Sequence, residues 1–161
     1  MMQPPEPEKE HLWLQQLVGE WTVESECSMG PDQPPMKANR RESVRSLGTL
    51  WTIGEGSDDT PGSLCDSIMT LGFDTQTKRF VGTFITSMMT HLWPYNGVLD
   101  ATGKVLTLDS EGPNFAGDGT LAKYQDIIEF VTDDYRILSS QMLGSDGQWT
   151  PFMKAHYRRM T

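Results

Sequence analysis

The sequence predicts an all-β protein: an antiparallel up-and-down barrel of about ten strands, with one short helix at its N-terminal end. Three observations carry this. Apolar and polar residues alternate with period two along most of the chain, tight polar turns separate the alternating runs, and no helix-length segment lies between any two of them. The stretch from Asp66 to Pro113 shows the pattern best. Two apolar runs meet at Phe73-Asp-Thr-Gln-Thr-Lys-Arg-Phe80, and Leu99-Asp-Ala-Thr-Gly-Lys-Val105 repeats the device, with Gly103 able to take the positive φ of a short hairpin. Because each strand can pair with the next, an up-and-down barrel is favoured over a Greek key.

Taken in order, residues 1–7 read as a flexible acidic, proline-rich tail and residues 8–161 as a single barrel domain. Pro7 to Leu17 reads as a short helix whose Leu12, Trp13, Leu14 and Leu17 form an apolar side, stopped at Gly19. That side is expected to cap its own barrel, leaving a monomer or weak homodimer. From Gly19 to Cys27 the alternation puts Trp21, Val23, Ser25 and Cys27 inward and Glu20, Thr22, Glu24 and Glu26 outward. Gly30 to Pro35 is a loop. Met36–Leu47 and Leu50–Glu55 are the next strands, and the acidic run Gly54 to Gly62 reads as flexible. Ser67–Phe73, Phe80–Ser87, Met89–Leu99 and Val105–Asp109 form a central meander. The glycines of Glu111 to Thr120 read as a loop. Ala122–Val131 and Tyr135–Leu143 make a hairpin about Asp133-Asp134, and Trp149–Arg159 is the last strand, reached through the turn Gly144 to Gly147.

The 161 residues carry a formal charge of −9, which disfavours nucleic acid and anionic membrane surfaces as partners. No signal peptide or apolar span is visible, so a cytoplasmic location is expected. Cys27 and Cys65 then read as two reduced thiols.

The short helix followed by Gly19-Glu20-Trp21 resembles the opening of lipocalin-like, calycin-type barrels. The resemblance implies that Trp21 plugs the barrel floor and that Arg158 or Arg159 packs over it by a cation–π contact. Further along, LVGEW, LGFDTQTKRFVGTF, SMMTHLWPYNGVLDATGKVLTLDSEGP, KYQDIIEFV and MKAHYRR are similar to the bacterial family known as domain of unknown function 1579. This resemblance runs from about Glu8 to Arg159 and transfers no activity and no catalytic residues.

The expected function is therefore argued from residues. Met88, Met89, His91, Trp93 and Tyr95 cluster in one segment and are the candidate ligand-binding residues, with apolar walls and polar handles suited to a small hydrophobic or amphipathic molecule. His91 also admits an acid–base role, or a purely structural one as a hydrogen-bonded histidine. His156 invites comparison with nitrobindin-like barrels, which hold haem through a late-strand histidine. However, Trp149, Met153, Ala155 and Tyr157 share the other face of its strand, so an inward tryptophan face turns His156 outward. Arg41 and Arg45 share a face with Lys37, Asn39 and Ser43. This is a cationic patch if that face is inward; the other reading of Arg40, Arg41 and Arg45, and the favoured one, is an exposed edge guarded by charges. Ser43 and Ser46 lack the base that a nucleophile needs. Asp126 and Glu129 lie on opposite faces of a strand and do not converge, and Asp133-Asp134 belongs to a turn. Gly112 to Gly119 does not lead a strand into a helix, so it is not a phosphate loop. No catalytic residue, metal or cofactor is expected. Ligand binding stands ahead of an enzyme using His91 and of a filled-core interaction module.

Overall fold

The computed structural model describes residues 2–59 and 65–160. Its elements are α1 (Lys9–Gln15), β1 (Gly19–Cys27), β2 (Met36–Leu47), β3 (Trp51–Asp58), β4 (Asp66–Asp74), β5 (Arg79–Thr86), β6 (Trp93–Leu99), β7 (Val105–Pro113), β8 (Leu121–Thr132), β9 (Tyr135–Leu143) and β10 (Trp149–Arg159). Every strand pairs antiparallel with the next, and β1 pairs with β10, so the ten strands close into a barrel. Closure leaves no open sheet edge to guard. β2 lies between β1 and β3, and this removes the edge reading of its arginines.

The hairpin turns at residues 75–78, 100–104 and 133–134 gather at the end that α1 covers. The loops at residues 28–35, 87–92, 114–120 and 144–148 gather at the other end. Gly103 takes φ 74° as its turn requires, and in the preceding hairpin Lys78 adopts φ 58°.

Alternation on β1 is as read from the sequence, with Trp21 and Val23 buried. Trp21 is fully buried, donates its indole N–H to Leu17 O (2.9 Å), and lies 4.3 Å from the guanidinium carbon of Arg159. Arg159 is thus the basic residue over the floor tryptophan. Its Nη1 and Nη2 also donate to Val18 O (2.7 Å) and Gln16 O (2.9 Å), satisfying carbonyls that the end of α1 leaves orphaned. The guanidinium occupies the space a side chain at residue 19 would need. A Cβ on Gly19, whose φ is 140°, would stand 2.4 Å from Arg159 Nη1.

The helix is pinned by three side chains. Trp13 donates to Gly103 O (2.6 Å) and packs edge-on against Phe80 and Phe130. Leu14 is completely buried. His11, also buried, accepts from the Glu8 N–H at Nδ1 (2.8 Å) and therefore carries its proton on Nε2, which donates to Phe73 O (3.0 Å). Leu12, expected on the apolar side, points to solvent at 63% exposure, because the buried face of the helix runs through His11, Leu14 and Leu17 at three-residue spacing.

Several strand limits differ from the sequence reading. β3 continues through Gly54 and Gly56 to Asp58, paired on both flanks, where a flexible run was expected; residues 60–62 of that run lie outside the described residues. β6 begins only at Trp93, because Met88 to Leu92 forms the turn after β5. β7 runs on to Pro113. On β10 the register slips between Pro151 and Met153, a bulge that leaves Phe152 unpaired and turns Trp149 to the outside. Trp149 accordingly does not share a face with Met153, Ala155 and Tyr157.

Trp21→Ala removes the largest fully buried side chain and is expected to cost roughly 3–5 kcal/mol in urea unfolding. A loss below about 1 kcal/mol would contradict the floor position.

Candidate functional site

Between the α1 floor and the loop end, the barrel holds a cavity of about 700 Å³. Its wall takes Val23, Ser25 and Cys27 from β1, Ala38, Arg40 and Glu42 from β2, and Met153, Ala155 and Tyr157 from β10. A side chamber of about 260 Å³ shares Met69, Phe84, Thr86, Leu138 and Met153 with it. The side chamber is closed by Met89, Trp93, Tyr95, Phe115, Tyr124 and Phe152, with Asp126, Ser110 and Ser140 as its polar atoms.

The charged residues of the main cavity follow from the register of β1 with β2. Trp21 is opposite Glu42 and Val23 opposite Arg40, so the inward face of β1 sets Arg40 and Glu42 inward. Arg41 and Arg45 then face solvent, where they pair with Asp59 (3.1 Å) and Glu55 (4.0 Å). The cationic patch considered for Arg41, Arg45, Lys37, Asn39 and Ser43 is therefore on the outer surface.

Inside, each cation is matched. Arg40 bonds the Asp58 carboxylate, Cys65 O (3.2 Å) and Ser67 Oγ (3.1 Å). Arg136 donates Nη2 to Glu42 Oε2 (3.0 Å), and its guanidinium carbon lies 3.9 Å from the ring centre of Tyr157 and 4.6 Å from that of Trp21. The glycines of β3 make room for this layer. A Cβ on Gly54 would meet the Glu42 carboxyl at 3.3 Å, and one on Gly56 would meet Ser67 Oγ at 2.8 Å and Arg40 Nη2 at 3.1 Å. Burial raises the Tyr157 phenol well above its ordinary value, with Glu42 adding to the effect.

The side chamber is built on aromatic contacts. Trp93 packs edge-on against Tyr124 at 4.8 Å, while Phe115 meets Tyr124 at 5.4 Å and Phe152 at 4.9 Å. Tyr124 is oriented by a hydrogen bond to Pro113 O. Trp93 lies flush on Gly112, where a Cβ would come within 2.2 Å of the indole. At the inner end Asp126 accepts hydrogen bonds from the Tyr95 hydroxyl and from Ser140 Oγ (2.5 Å). Protein surrounds Asp126, yet it stays partly accessible because one side forms the chamber wall. Desolvation raises its carboxyl above the usual carboxylate range, against the two hydrogen bonds that lower it.

The five residues singled out from the sequence divide. Met89, Trp93 and Tyr95 line the side chamber, and Met88 lines the main cavity. His91 lines neither. It sits in the turn before β6, hydrogen-bonded through Nε2 to Glu111 O (2.9 Å) and packed edge-on against Trp93 at 4.7 Å. His156 faces outward, between the inward Ala155 and Tyr157, with Nδ1 2.6 Å from the Tyr135 hydroxyl. Among the described residues no three His, Cys, Asp or Glu side chains gather as metal ligands. Cys27 and Cys65 are both free thiols.

Four interior residues were missed. Arg40 and Glu42 are adjacent inward charges on β2, whereas Asp126 and Arg136 are single charges beside apolar inward residues. On β8 the signal is visible in Tyr124, Asp126, Ile128 and Phe130, an acid placed in register with an apolar face.

Residues 6–159 match the family described as "Protein of unknown function (DUF1579)". The chain belongs to this family. No curated protein matches it. Among solved structures it is similar to Rv2717c from M. tuberculosis, with a TM-score of 0.67 and 14% identity over 97% of this chain and 100% of that one. It is also similar to the S-type phycobiliprotein lyase CPES from Guillardia theta, with a TM-score of 0.59 and 14% identity over 98% and 99% of the two chains. A point mutant of the fluorescent protein UnaG gives a TM-score of 0.53 and 13% identity over 92% and 99%. At these identities the likeness shows a shared lipocalin-type barrel. No helix among the described residues is long and apolar enough to cross a membrane.

The raised Asp126 carboxyl has a definite pH signature. Between the ordinary carboxylate pKa and the raised one, the folded state binds more protons than the unfolded state, so this group makes stability fall as pH rises. Asp126→Asn keeps both hydroxyl partners, which can donate or accept, and cannot ionise. The stability of the variant relative to wild type is therefore expected to climb with pH across that window and to level off above it. Urea melts at a series of pH values check this, and a constant difference would contradict it.

Proposed function

We propose that the protein binds a small hydrophobic or amphipathic molecule inside the barrel. The observation that carries this reading is the cavity of about 700 Å³, largely apolar in its lining and furnished at its inner end with oriented polar groups. Cavities of several hundred cubic ångströms with convergent polar side chains suit drug-sized ligands. The interior charges point the same way. A buried ion pair stabilises a fold little compared with apolar residues of equal volume, so Arg136–Glu42 and Arg40–Asp58 are better explained by the site than by the fold.

In this reading Met88, Met89, Trp93 and Tyr95 contact the ligand, and His91 acts by holding Trp93 in place. A phycobiliprotein lyase and a fluorescent protein share the barrel, so the architecture by itself does not choose among uses of its interior.

Titration with the neutral apolar fluorophore N-phenyl-1-naphthylamine tests the proposal. Saturable fluorescence enhancement is expected for wild type. Trp93→Ala should weaken binding about tenfold, the order expected from losing a buried aromatic contact, and His91→Ala should weaken it less. Absence of saturable binding by wild type would overturn the reading. Unchanged affinity in folded Trp93→Ala would move the site away from β6.

A further inference from the structure

The polar groups of the two chambers differ in one respect that bears on what the ligand must be. In the main cavity each carboxylate already faces a guanidinium, Glu42 against Arg136 and Asp58 against Arg40. Among the described residues, Asp126 has no cationic side chain beside it. Its two oxygens each accept one hydroxyl hydrogen bond, which leaves acceptor capacity on a side chain that lines the chamber. The same chamber is lined by the rings of Trp93, Tyr124, Phe115 and Phe152, with Trp93 edge-on to Tyr124 and the other three edge-on to one another, so that they form a corner.

We propose that this side chamber is a site for a small organic cation, a protonated primary amine on an apolar body, with the ammonium against Asp126 and the body among the aromatic rings. The proposal rests on the binding reading above and assigns its ligand class. The argument is one of charge. Ring faces are electron-rich and attract cations. A carboxylate desolvated without a counter-charge is costly, and an ammonium that donates to its free lone pairs removes that cost. An anion would meet both the carboxylate and the ring faces and be repelled by each. A neutral molecule would fill the space and leave the carboxylate unpaired. The chamber, at about 260 Å³, suits a single-ring amine rather than an extended ligand.

The test is calorimetric titration at neutral pH with three probes of similar shape: 2-phenylethylammonium, 2-phenylethanol and 3-phenylpropanoate. The ammonium is expected to bind roughly tenfold or more tightly than the alcohol, the scale of a hydrogen bond to a charged group, with the carboxylate probe weakest. In Asp126→Asn the advantage of the ammonium over the alcohol should vanish while the alcohol still binds. Phe115→Leu, in a loop and 60% exposed, leaves the barrel intact and should weaken the ammonium and the alcohol alike, severalfold, because it takes a ring from the wall that holds their common apolar body. Equal affinities, tightest binding by the anion, an undiminished ratio in Asp126→Asn, or unchanged binding of both probes in Phe115→Leu would overturn the proposal. If this happens while N-phenyl-1-naphthylamine still binds, only the ligand class fails. If neither the fluorophore nor any probe binds, the barrel-binding reading fails with it.

Discussion

The barrel depends on how its floor is sealed. The Trp21 indole closes the end of the cavity and lies against the guanidinium groups of Arg159 and Arg136. Arg159 joins three parts of the chain at this point: the last strand, the end of α1 through Gln16 O and Val18 O, and the β8–β9 turn through Asp133 O and Asp134. Arg136 connects the same indole to Glu42 and Tyr157 on the wall above. One aromatic side chain thus carries the sealing of the floor and the placement of the first charged layer. An indole suits this, because it offers a large apolar face, a surface for cations and one N–H, which Leu17 O accepts.

From that floor the interior changes in character along the barrel axis. Leu71, Leu106, Leu108 and Ile128 pack tightly near the helix end, where Leu14 and Leu17 complete the core. Above them the strands carry side chains too small, or too committed to polar partners, to fill the lumen. Ala38, Ser67, Ala155 and the inward glycines of β3 leave space, and Arg40 and Glu42 are held flat against those glycines. A ten-stranded barrel is wide enough that only large inward residues along its whole length would fill it. Here they are confined to the lower half and to the aromatic corner by the β6 turn. Because the polar groups sit on strands rather than loops, hydrogen bonds within the wall orient them without a ligand, as with Asp126 between Tyr95 and Ser140.

Much of the fold was legible in the chain, because strand pairing and burial leave local marks. Alternation on β1 identified the inward face that contains Trp21 and Val23, and the Trp149–Arg159 strand was delimited correctly at both ends. Glycine misled in one place. Gly54 and Gly56 read as a flexible run, whereas they are strand positions kept small for the Arg40 and Glu42 side chains that cross them. The bulge at Phe152 was equally invisible, since a single unpaired residue inverts the facing of Trp149 without any change in composition.

The sequence by itself determined the number and order of the strands, the helix at the N-terminal end and the inward facing of Trp21, because each follows from periodicity or from contacts between near neighbours; the floor position of that tryptophan came from the resemblance of Gly19-Glu20-Trp21 to the opening of lipocalin-like barrels. The sequence also drew attention to Met88–Tyr95, whose aromatic content is a local property. Only the tertiary structure decided which charges lie inside. The facing of β2 is set by its register against β1, which brings Arg40 opposite Val23 and Glu42 opposite Trp21. Asp126 gains its meaning from Tyr95 and Ser140, 31 and 14 residues away, and from aromatic rings on three strands and a loop. A shift of one residue in strand pairing would exchange the inner and outer faces, and such a shift leaves no trace in the composition of any single strand.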